Sequence, residues 1–249
     1  MPAKSRSRRK SIIPVGMSSK QMKRKKPINT DLMRDIEPLT GNQQTLFEAY
    51  AQNKNLVAYG CAGTGKTFIL LHLAFKEVLD KGTPYDKVVI VRSLLPSRDI
   101  GFLPGTLDEK ANLYQDPYRI LVRYLFEMPN EQEFTQLYDK LVGQGSLEFY
   151  STSFLRGQTF DRSIILVDEA SNLLFQELDT IMTRVGQNSK IMFAGDMAQS
   201  DLRKNNGDRD GYHNFQAILE DMDEFDVVEF GIGDIIRSGL VRSYLIAKT

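Results

Sequence analysis

Thirteen residues, Asn55-Leu-Val-Ala-Tyr-Gly60-Cys61-Ala62-Gly63-Thr64-Gly65-Lys66-Thr67, constrain what this chain can fold into more than any other stretch. The short apolar run from Leu56 to Tyr59 predicts a buried strand. It stops at a glycine-bearing turn, and Lys66-Thr67 opens an apolar segment with helical spacing to about Leu79. This is the pattern G-x-x-x-x-G-K-T with a strand before it and a helix after it. The glycines let the backbone turn so that successive N–H groups point inward at phosphate oxygens. The helix start adds the positive end of its dipole, Lys66 a point charge, and Thr67 a hydroxyl suited to Mg2+. A glycine-rich turn matching by chance would lack that strand-and-helix context. The stretch therefore predicts a nucleoside triphosphate site, with Gly60, Cys61, Ala62, Gly63, Thr64, Gly65, Lys66 and Thr67 as its binding residues.

A second stretch supplies the matching acids. Ser163-Ile-Ile-Leu-Val167 is continuous and apolar, and it runs directly into Asp168-Glu169. Charges at the end of a buried strand are costly unless something pairs with them, and Mg2+ is such a partner. Asp168 is the expected metal residue beside Thr67, and Glu169 the expected acceptor of a proton from attacking water.

Other parts of the chain are predicted to gather around this pair. Thr40-Gly-Asn-Gln43-Gln44 starts a helix, and the amide of Gln43 carries the donor and acceptor that an adenine edge requires. Val88 to Arg92 is a further buried strand of parallel-sheet type. It leads into a loop with two glycines and two prolines, where Arg92 and Arg98 are phosphate-contact candidates or ordinary surface residues. Thr106 and Glu109 form a capping-box pattern for the next helix. The region from Ala111 to about Val142 is predicted helical, with Tyr114, Tyr118, Leu121, Leu125 and Phe126 as a core-facing stripe. Lys190 to Gly195 is a strand ending in Gly195-Asp196-x-x-Gln199, where Gln199 could sense a γ-phosphate or orient water. Residues 201–211 are expected as a polar loop before a helix near Tyr212–Met222, and Asp226 to Phe230 as the last strand. Arg237 follows it, placed to stabilise transition-state charge in cis or across a subunit boundary, or to lie at the surface.

Charge is distributed unevenly. Of the 32 Lys and Arg in 249 residues, ten lie within residues 1–26, which hold no acid; the other 22 face 32 Asp and Glu. Residues 1–37 are thus expected as a basic, disordered arm for a polyanion, nucleic acid foremost, or as a merely solvated tail. Residues 38–249 form one α/β domain, a mostly parallel sheet flanked by helices. One cysteine, Cys61, excludes a disulfide within these residues, and two histidines argue against a histidine-rich metal centre. No apolar run approaches a membrane span, so the expected setting is cytoplasmic, without a membrane.

The ordered set resembles the PhoH family of P-loop NTPases, related to the first RecA-like domain of superfamily 1 helicases. The residues that carry the resemblance are Gly41 to Gln44, Gly60 to Thr67, Gly101-Phe-Leu-Pro-Gly105 with Glu109-Lys110, Arg156-Gly157-Gln158-Thr159, Val167 to Ala170, Gly195-Asp196 with Gln199, and Asp234-Ile-Ile-Arg237. The resemblance covers about residues 38–247. It implies a RecA-like, ATP-binding core that forms homo-oligomers, a ring among the forms to expect. It departs at Arg237-Ser238, where family members commonly show Arg-His. Nothing in the chain resembles the nuclease to which some family members are joined. The expected activity is Mg2+-dependent ATP hydrolysis coupled to RNA or single-stranded DNA, with Lys66, Glu169, Gln199 and Arg237 in catalytic roles. One RecA-like core holds no second motor domain, so the alternative is a nucleotide-dependent switch or adaptor tethered to nucleic acid.

Overall fold

The computed structural model describes residues 28, 30–93, 107–196 and 206–248. Gln199, Arg98, Thr106, the stretch Gly101 to Gly105 and the basic run up to residue 27 lie outside the described residues.

Six strands form one parallel sheet: β1 (Asn55–Gly60), β2 (Lys87–Arg92), β3 (Leu147–Ser151), β4 (Ser163–Val167), β5 (Lys190–Gly195) and β6 (Phe225–Phe230). Their order is β3-β2-β4-β5-β1-β6. One strand, β5, therefore separates the loop-bearing β1 from β4, which ends in the acid pair. The helices are α1 (Gly41–Ala51), α2 (Lys66–Leu79), α3 (Leu107–Leu125), α4 (Glu131–Gly143), α5 (Phe175–Met182), α6 (Asn206–Glu220) and α7 (Gly239–Lys248).

The sheet is apolar on both faces, which is why its strands lack polar alternation. Leu56, Val88, Ile90, Ile164, Leu166 and Met192 pack with α1 to α4 on one side. Val57, Val89, Ile165, Ile191 and Phe193 pack with α5 and α6 on the other. Each fully buried Val, Leu or Ile contributes about 1.5–3 kcal/mol. The register then does the positioning. Tyr59 pairs with Gly195, Phe193 with Val167, and Val167 with Val91. The carboxyl ends of β1, β5, β4 and β2 are thereby level, at the edge where open α/β sheets bind ligands.

Three sequence expectations need correction. The single helix expected from Ala111 to Val142 is two helices, broken at Phe126–Asn130. Pro129 disfavours helical backbone in the residue before it, and Asn130 starts α4 by accepting from Glu133 N at 2.9 Å. The break is also occupied: Met33 bridges Phe126, and Arg34 N donates to Leu125 O at 2.8 Å. That contact holds part of the segment assigned to the arm, and Ile28, Leu32, Met33 and Ile36 pack on the core. The polar stretch 201–211, expected as a loop, is helical from Asn206. Gly211 permits this, since a Cβ there would sit 3.2 Å from Phe175 Cβ of α5. Residues Gly239–Lys248 form α7.

His72 of α2 gives the core a pH dependence. It is 1% exposed and, among the described residues, neither ring nitrogen has a hydrogen-bond partner. Burial, with the Lys76 charge adding, holds its pKa down at about 4 against the opposing Asp35. Below pH 6.5 the unfolded chain therefore takes the proton and the folded chain does not. Stability is complete above about pH 6.5 and is lost as pH falls toward 4, by up to about 3 kcal/mol. In His72→Leu the urea midpoint should fall less than in the parent between pH 7.5 and 4.5. Equal falls would contradict this assignment.

Candidate functional site: a phosphate-binding loop facing two carboxylates

β1 ends at Gly60, with φ +115°, and Cys61 N donates to Phe230 O of the adjacent β6 at 2.8 Å. Gly63 and Gly65 also have left-handed backbone, at φ +76° and +83°. Gly65 starts α2, so the turn from strand to helix is completed within five residues of Gly60. Thr64 Oγ1 donates to Cys61 O at 3.0 Å across the inside of the turn. Lys66 folds back over it and donates to Gly60 O at 2.9 Å, Cys61 O at 2.6 Å and Thr64 Oγ1 at 3.3 Å. Its ammonium is thus buried but satisfied. Burial pushes its pKa down, and Asp196 and Asp168 nearby oppose that.

The turn is braced from two sides. Gln43, 1% exposed, donates from Nε2 to Thr64 O at 3.0 Å and accepts from Leu39 N at 2.7 Å. Both ends of the amide expected near adenine are therefore engaged with backbone in this arrangement. Ile236 N donates to Gly63 O at 3.1 Å, bringing in the segment after β6. That segment is fixed in turn by Asp234, which accepts from Asn42 Nδ2 at 2.7 Å and from Gly231 N at 2.9 Å. Burial alone would raise the Asp234 pKa, but these bonds and one from Thr40 hold it below the usual carboxylate value.

The acids stand opposite. Thr67 Oγ1 donates to Asp168 Oδ1 at 2.8 Å, joining α2 to β4. Tyr118 Oη of α3 donates to Asp168 Oδ2, also at 2.8 Å. Burial raises the Asp168 pKa, and the two hydroxyl bonds act against it. Glu169 has left-handed backbone, φ 53° and ψ 38°, and its carboxylate pairs with Arg92 at the end of β2. Non-glycine residues held there cost about 1–3 kcal/mol and cluster at working sites. At the same edge Asp196 N donates to Ser171 Oγ at 3.1 Å. A cavity of about 280 Å³ lies between these groups, lined by residues 62–68, Leu121, Asp168, Glu169, residues 194–196 and Arg237.

The structure thus brings together Gly60 to Thr67, Asp168, Glu169 and Arg237, with Gln43 one layer behind the loop. Arg237 lines the cavity of its own chain; its Cγ would be 2.9 Å from a Cβ on Gly63. Sequence reasoning took Tyr118 as core alone. It is core, at 2% exposed, but its hydroxyl also orients Asp168. Arg92 was considered for phosphate contact, and its partner here is Glu169.

A family model described as "PhoH-like protein" matches residues 35–247. The chain belongs to the PhoH family. Its relatives include a PhoH-like protein of Mycobacterium leprae, 32% identical over 215 residues, and Protein PhoH of Escherichia coli K12, 30% identical over 219 residues. Each match covers 86% of this chain, but only 58% and 59% of the two relatives, so this chain spans about three fifths of their length. Among solved structures, the helicase domain of Pyrococcus furiosus Hef is similar with a TM-score of 0.45 at 11% identity, over 77% of this chain and 38% of that one. Unliganded Pif1 from a Bacteroides species is similar with a TM-score of 0.38 at 17% identity, over 82% and 43%. The PhoH-family chain has an all-parallel six-stranded sheet with helices on both faces, and its G-x-x-x-x-G-K-T loop stands at the carboxyl edge of that sheet. Among the described residues no helix is long and apolar enough to cross a membrane.

Proposed function

We propose that this PhoH-family protein hydrolyses ATP with Mg2+ and couples hydrolysis to binding or remodelling RNA or single-stranded DNA. The observation that carries the reading is the Thr67–Asp168 contact of 2.8 Å, set across the loop from Lys66 and next to Glu169. A hydroxyl and a buried carboxylate side by side are hard oxygen donors, and Mg2+ is commonly held by one or two such groups together with phosphates. Among the described residues no larger cluster of His, Cys, Asp or Glu competes as a metal centre. The donor set fits the ion. When bound, Mg2+ would neutralise charge on the β- and γ-phosphates.

The chain's own residues do the rest. Lys66 exchanges its carbonyl partners for phosphate oxygens, and the loop N–H groups from Gly63 to Thr67 orient the triphosphate. Thr67 and Tyr118 donate to Asp168, which fixes its two oxygens and acts against the rise in pKa that burial imposes. Glu169 accepts the proton of the attacking water. Gln199 senses the γ-phosphate, and Arg237 stabilises transition-state charge from within the same chain. Gln43 reaches an adenine edge if its amide leaves Thr64 O; otherwise it acts by holding the loop. We further propose that the protein works as a homo-oligomer.

The test is the ATPase rate with and without single-stranded RNA and DNA, beside a solution mass measurement. A nucleic-acid-stimulated rate and a mass above the monomer are expected. Nucleotide-dependent partner binding without stimulation would favour a switch or adaptor instead.

A further inference from the structure

Glu169 is the carboxylate that must accept a proton in the hydrolase reading, on which this inference rests, yet both of its oxygens are engaged. Arg92 donates from Nε to Glu169 Oε2 at 3.2 Å and from Nη2 to Oε1. Both partners are anchored. Arg92 is the last residue of β2, and Asp168 N donates to Val91 O at 3.0 Å, locking the ends of β2 and β4 together. Glu169 is aimed by its left-handed backbone. Asp168 is held by a different set, Thr67 and Tyr118, so the two adjacent acids are kept in separate tasks. A carboxylate that accepts a guanidinium fork on both oxygens is a poor acceptor for a water proton.

We propose that Arg92 is a latch on Glu169, opened when a backbone phosphate of single-stranded nucleic acid takes the guanidinium in place of the carboxylate. A guanidinium grips carboxylate and phosphate with the same bidentate geometry, so the exchange trades one charge-assisted pair for another. The Arg92 side chain is 25% exposed and that of Glu169 is 45% exposed, which leaves the pair open to such a competitor. Arg92 is therefore a positioning residue: it acts on water only through Glu169.

The test is steady-state Mg2+-ATP hydrolysis by the full chain, with and without oligothymidylate. Arg92→Gln should raise the unstimulated kcat about three- to fivefold, equivalent to ~0.7–1 kcal/mol at 1.4 kcal/mol per tenfold, with KM for ATP unchanged. Oligothymidylate should then add little further, while it stimulates the parent. Arg92→Lys, which keeps the charge without the fork, should fall between parent and Arg92→Gln. The double variant Arg92→Gln/Glu169→Gln should be as slow as Glu169→Gln alone, an epistasis that mere loosening of the fold would not produce. In an active parent, an unchanged or lower rate in Arg92→Gln overturns the latch and leaves the hydrolase reading standing. A raised rate with undiminished stimulation overturns the nucleic-acid release. A parent that does not turn over ATP overturns the hydrolase reading and the latch with it.

Discussion

Lys66→Ala is expected to lower ATP turnover by about 10²- to 10³-fold while leaving the fold intact. The size follows from removing one preorganised cation aimed at developing phosphate charge. The intact fold follows from its surroundings. Lys66 is 8% exposed, and burial of its ammonium pushes its pKa down, so the charge itself stabilises the folded chain little. Its three acceptors, Gly60 O, Cys61 O and Thr64 Oγ1, lie at the cavity and can turn to water when the ammonium is gone. Phosphate release and thermal melting, measured on the same sample, separate the two effects. Turnover equal to the parent's would remove Lys66 from the mechanism, and a collapsed melting transition would make it structural.

Gly60→Ala should instead unfold the protein or come close to it. A Cβ at Gly60 would lie 2.2 Å from Phe230 O and 2.9 Å from Phe230 C and N, all backbone atoms of the neighbouring strand. Backbone cannot move aside as a side-chain tip can. The φ of +115° adds strain for any L side chain. Clash and strain together should cost about 4 kcal/mol or more, a large part of the ~5–15 kcal/mol that holds a domain together. Gly41→Ala is the control, since a Cβ there meets nothing within 4 Å; it should stay within about 0.5 kcal/mol of the parent. Chemical denaturation reads both, and a near-parental midpoint for Gly60→Ala would mean that β1 and β6 do not approach as described.

How much of this was legible in the sequence depended on whether the signal was local. The loop and its flanks were fully legible: a strand over Asn55–Gly60 and a helix starting at Lys66 and ending at Leu79 follow from a glycine-punctuated apolar pattern. So was the Asp168-Glu169 strand end, because charge beside a buried run requires a partner. What depended on register was not legible. Arg92 meets Glu169 only because Val91 pairs with Val167, and nothing in either strand's composition announces that pairing. Tyr118 carries an apolar-stripe spacing that its hydroxyl contradicts only once α3 is laid beside β4. The helix break at Pro129 was a missed local signal: Pro129-Asn130 is a breaker followed by a cap. The early start of α6 was hidden for the opposite reason. Gly207 and Gly211 read as loop residues, whereas Gly211 is there to let α6 lie against Phe175. Gln43 was expected near an adenine edge, and in the structure its amide holds Thr64 O of the loop, a contact its sequence position does not announce.

The central claim is that this cavity binds Mg2+-ATP and that Glu169 activates the water that hydrolyses it. Single-turnover hydrolysis and equilibrium nucleotide binding, compared between the parent and Glu169→Gln, test it most directly. The amide keeps the size of the side chain but is a far weaker proton acceptor. The prediction is ATP affinity within about threefold of the parent with hydrolysis slowed about 10²- to 10⁴-fold. Undiminished hydrolysis in Glu169→Gln would contradict the claim.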